Sequence, residues 1–83
     1  MEERTADEIA KIYSAAGDSV TVIGTAQASD ETDADFKAKI QRNVEHLETI
    51  KAYKKLDGTT SIWKSESFTA IDKAIVDGKK VYS

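Results

Sequence analysis

Residues 33–57 read DADFKAKIQRNVEHLETIKAYKKLD. Within them Phe36, Ile40, Val44, Leu47 and Ile50 recur at steps of four and then three, which draws a single apolar stripe along an α-helix. Thr32, with Asp35 three residues later, has the form of a capping box, and Asp33 and Asp35 stand where the positive end of the helix dipole favours carboxylates. Lys51, Lys54 and Lys55 gather at the opposite end, and Gly58 follows as a left-handed cap. Stripe, cap and charge gradient agree on one long helix over 33–57.

Toward the N-terminus, Thr5-Ala6-Asp7-Glu8 is a second capping-box match, followed by Ile9, Ile12, Tyr13, Ala16, Val20 and Ile23 at helical spacing. The spacing predicts a helix over 6–27. Gly17-Asp18 followed by the β-branched residues of 20–23 offers a competing reading, a turn and a strand. Helix is preferred because the seven-residue spacing continues through Gly17. Ala10, Gly17 and Gly24 then form a line of small residues, although each helical glycine costs about 1 kcal/mol against alanine. Such a line is either an internal packing groove or bend, or a docking seam for a partner helix.

Toward the C-terminus, 58–61 read as loop. Ser65, or else Ser67, caps a third helix carrying Phe68, Ile71, Ala74 and Ile75 on one face. Gly78 is expected to end it, with Lys79 and Lys80 near its negative pole and Val81 and Tyr82 trailing beyond. Short polar connectors and the absence of proline imply an all-α chain, an antiparallel three-helix bundle in a single domain over 1–83. The alternative is a small α+β form in which 19–25 and 59–63 pair as strands.

Composition removes several classes of function. With no Cys and one His, there are no disulfides and no cysteine-containing zinc site. Residues 1–32 carry two basic and seven acidic side chains, the opposite of the clustered Lys and Arg that phosphate neutralisation requires, so no nucleic-acid partner is expected. The start MEER lacks a hydrophobic run, so neither a signal peptide nor a membrane anchor is expected, and the chain reads as soluble. A chain of 83 residues buries only roughly 60% of its extended surface, which leaves association as the remaining source of added stability.

The expected helix lengths are uneven, roughly 33 and 37 Å for the first two and about 18 Å for the third. A short third helix leaves one end of the hairpin bare. That end carries Val20, Val22, Ile23, Phe36 and Ile40, with Asn43 on the adjoining seam as a polar residue able to fix register. These six are the expected interface with a protein partner or a second copy. The competing outcome is that Val81 and Tyr82, or a bend at Gly17, close the gap within one chain.

Candidate chemistry is sparse. His46 lies at the border of the apolar stripe with no second His to form a metal pair and no Cys to act as nucleophile, so a boundary or interface role is expected. Trp63 precedes a helix start, as a staple onto the core or an exposed anchor. Lys51, Lys54, Lys55, Lys79 and Lys80 lack interleaved aromatics and read as helix-end cations. No phosphate loop, dinucleotide or protease signature is present, and no catalytic residue, cofactor, metal or small-molecule substrate is expected.

Thr5-Ala6-Asp7-Glu8-Ile9, then Arg42-Asn43-Val44-Glu45-His46-Leu47-Glu48, then Trp63 with residues 68–75 (FTAIDKAI) and Gly78-Lys79, resemble the small proteins encoded by tailed bacteriophages, particularly phages of marine bacteria. The resemblance covers most of the chain through helix patterns and carries no active-site residues. It implies a non-enzymatic structural or assembly protein, a minor virion component that decorates a capsid or attaches to the neck or tail. The alternative function is a small acidic adaptor or inhibitor that binds one host protein.

Overall fold

The computed structural model describes residues 3–83 and is an all-α bundle of three helices, α1 (Ala6–Ile23), α2 (Asp33–Ile50) and α3 (Ser65–Tyr82). Two short strands, β1 (Glu3–Arg4) and β2 (Lys54–Lys55), pair in parallel at one end, Glu3 with Lys54 and Arg4 with Lys55. Of the start MEER, the first two residues lie outside the described part. No helix among the described residues is long and apolar enough to cross a membrane.

The central stripe does what its spacing implies. Ile40, Val44, Leu47 and Ile50 are the buried residues of α2, and they meet Ala16 and Ile23 of α1 and Ile71, Ala74 and Ile75 of α3 in one core. Both N-terminal caps form: Thr5 Oγ1 accepts the Glu8 N–H at 3.3 Å, and Thr32 Oγ1 accepts the Asp35 N–H at 3.1 Å. Residues 19–23 are helical: Ala16, Ser19 and Ile23 bury one face at three- and four-residue spacing, the period of a helix and not the two-residue alternation of a strand. The strands that do form lie elsewhere than 19–25 and 59–63.

Three expectations about helix ends are corrected. α1 stops at Ile23 rather than residue 27, capped by Gly24, while the Thr25 hydroxyl donates to Val22 O at 2.7 Å and competes for the last turn. α2 stops at Ile50 rather than residue 57, because 54–55 are drawn into the pairing with β1 and the Arg4 guanidinium lies 4.0 Å from the centroid of the Tyr53 ring. Gly58 does take a left-handed φ of 71°, but it closes the 55–58 turn instead of a helix.

The largest correction concerns α3, which does not end at Gly78 and is not short. It runs through Gly78 to Tyr82, so each helix has 18 residues. A Cβ on Gly78 would lie 2.3 Å from Val44 Cγ2 and 3.4 Å from the Cγ2 atoms of Ile23 and Ile40. The glycine is therefore there to let α3 cross closely over α1 and α2. Ser65 is the first helical residue and not the cap; Lys64 occupies the N-cap without a side-chain bond.

The bare end expected of two long helices and one short one is consequently absent. Ile23 and Ile40 are buried within the chain, and Val20, Val22 and Phe36 pack partly buried against the core, joined there by Val81 and Tyr82. The molecule measures 45 × 20 × 19 Å, with α2 packed along both neighbours and α1 and α3 meeting far less.

Candidate functional site

Because α1 and α3 touch sparingly, a groove of about 440 Å³ opens between them. Its floor is Ala16, Ile71 and Ala70, its α1 wall Gly17 and Val20, and its closed end the aromatic pair Tyr13 and Trp63. Those rings stand 5.0 Å apart between centroids, tilted by 51°. Both polar tips are used within the chain: Trp63 Nε1 donates to Ile50 O at 2.9 Å, and the Tyr13 hydroxyl donates to Ile62 O. The aromatic wall is thereby held rigid, with Tyr13 still 44% exposed. The hollow continues past Val20 and Ala70 to Gly24 and Ala74, where Lys73 and Asp77 bond across one helical turn at 2.7 Å.

The α1 side of this face is uncharged. Ala10, Tyr13, Ser14, Gly17, Val20, Thr21 and Gly24 fall at heptad-like spacing, and Asp18 is the one charged residue between Lys11 and Asp30. Gly17 is exposed, and a Cβ built on it meets nothing within 4 Å. At Gly24 a Cβ would make ordinary contacts at 3.5 and 3.6 Å. Neither position needs glycine for packing inside the chain.

Of the six residues expected at an interface, Val20 lines this groove and Ile23 reaches only its continuation. Ile23 and Ile40 belong to the core, Val22 and Phe36 to its edge, and Asn43 turns its amide back to Lys39 O at 2.8 Å on its own helix. The surface expected at an end of the bundle is covered, and the groove opens along its side instead. The signal that pointed there was the line Ala10, Gly17, Gly24.

His46 is exposed, with Nδ1 3.1 Å from Ser19 Oγ. Although serine and histidine in contact are the pair used in acyl transfer, Ser19 is only 5% exposed, so a substrate carbonyl has no approach to its oxygen. The contact ties α1 to α2. Two of the helix-end lysines are engaged as well: Lys51 with Asp72 at 2.9 Å and Lys79 with Glu48 at 3.0 Å, the latter bond raising the Lys79 pKa above its ordinary value. Among the described residues, no group of three His, Asp or Glu side chains is placed to hold a metal ion.

No family model, no curated protein and no solved structure matches the chain.

Proposed function

We propose that the chain is a non-enzymatic structural or assembly protein that self-associates or docks on a larger complex through the face between α1 and α3. The observation that carries the proposal is Gly17, a mid-helix glycine with empty space above it. Alanine there would stabilise the helix by about 1 kcal/mol, so a glycine without an internal packing role is explained by the close approach of another backbone. The rigid aromatic wall and the neutral strip beside it supply what a docking helix buries. In the setting implied by the resemblance to tailed-phage proteins, the molecule is a minor virion component attached to capsid, neck or tail.

The test compares wild type with Gly17→Trp by light scattering of the isolated chain up to about 1 mM and by co-sedimentation with high-mass assemblies from producing cells. Wild type is expected to exceed monomer mass or to co-sediment, and the variant to lose this while keeping its circular dichroism. A wild type that is monomeric and unbound in both assays, or a folded variant that behaves like it, overturns the proposal.

A further inference from the structure

Resting on the proposed docking face, we infer that its occupant is a second copy of this chain, with the two α1 helices antiparallel about a two-fold axis at Gly17. Size complementarity selects the register. Setting Gly17 against Gly17 of the second copy places Ala10 against Gly24, so all three small positions pair and the backbones approach closely. The same register sets Tyr13 against Thr21 and Val20 against Ser14, a larger side chain meeting a smaller one on every remaining row. No like-charged residues are brought opposite one another on these rows.

Charge selects the direction. In each chain α1 and α3 run side by side in the same sense, Tyr13 against Trp63 at one end and Ile23 against Gly78 at the other. The first turn of α1 carries Asp7 and Glu8, and the last turn of α3 carries Lys79 and Lys80; Glu8 is bonded to Arg4 and Lys79 to Glu48 within the chain, so Asp7 and Lys80 are the pair that meets across copies. An antiparallel second copy brings its acidic first turn level with the basic last turn of α3, and the reverse contact repeats by symmetry. A parallel arrangement would bring acid level with acid.

The absence of cysteine allows a direct test, since each introduced thiol is the sole one in its chain. At about 1 mM under mild oxidation, Gly17→Cys is expected to cross-link to itself. Ala10→Cys and Gly24→Cys are expected to cross-link when mixed and not when alone, because only Cα atoms within about 7 Å can be bridged. In chains without these substitutions, Lys80→Glu should weaken the dimer about two- to five-fold, the scale of a surface ion pair, and adding Asp7→Lys should restore it. Self-cross-linking of Ala10→Cys would overturn the antiparallel arrangement. Absence of any cross-link, with all variants folded, would overturn the second copy as occupant; if Gly17→Trp still abolished co-sedimentation with a larger assembly, the docking face itself would stand.

Discussion

Two glycines on helices separate a glycine that serves the fold from one that does not. Gly78 lies where α3 crosses α2, and the Cβ of an alanine would overlap Val44, whose side chain is fully buried and has no room to retreat. Gly78→Ala should cost about 1 to 3 kcal/mol by overpacking. Gly17→Ala has the opposite sign: with nothing above it to displace, it should stabilise the monomer by about 1 kcal/mol and raise its melting temperature by about 4–8 °C. Differential scanning calorimetry at micromolar concentration, where the chain is free, measures both. A Gly17→Ala variant that melted lower than wild type would show an internal demand for glycine and remove the reason for assigning it to a partner.

At the scale of elements, the central stripe, both threonine caps and the three-helix architecture were legible because each is written by local periodicity. The helix ends were not, for reasons that lie outside the helices themselves. Residues 51–55 have helix-forming side chains, yet β1, fifty residues earlier in the chain, claims their backbone. Gly78 matches a C-terminal stop, and only the neighbouring helices reveal that its missing side chain is a crossing point. The end surface expected from unequal lengths is therefore absent, and the line of small residues on α1 lies exposed along the side of the bundle.

The 57–61 loop is the element most open to acid. Asp57 is held down to about 2 by the Thr60 hydroxyl and by the backbone N–H groups of Thr60 and Thr59, which bond its Oδ1 at 2.8 and 2.9 Å. Since the folded value lies below the ordinary carboxylate value of 3.8, this support is fully present above that pH and is lost as pH falls toward 2. The protection factors of the Thr59 and Thr60 amides, taken against their intrinsic exchange rates, should fall over that window in wild type and be low at every pH in Asp57→Ala, while α2 amides stay protected. Equal loss of protection in α2 would mean that the loop does not open by itself.

For the molecule as a whole, the size of the proposed docking face would set how tightly two copies hold one another. Fifteen helical residues rising about 1.5 Å each, across a helix about 10 Å wide, present roughly 200 Å² per copy. A stable dimer buries about 800 Å² per partner, so free chains should associate only transiently. Chains fixed side by side on a large assembly experience an effective concentration near 1 mM, and the same weak contact then becomes occupied. Sedimentation velocity should accordingly find a monomer at about 10 µM and a growing dimer fraction toward 1 mM, with two copies joined by a flexible linker closing on themselves at any concentration. In the linked protein, amide shifts of Ala10, Gly17 and Gly24 should differ from those of the dilute single chain, and Gly17→Trp in both copies should return them to the single-chain values. Coincident spectra for the linked and single chains would mean that this face has no affinity for itself even when the second copy is always at hand.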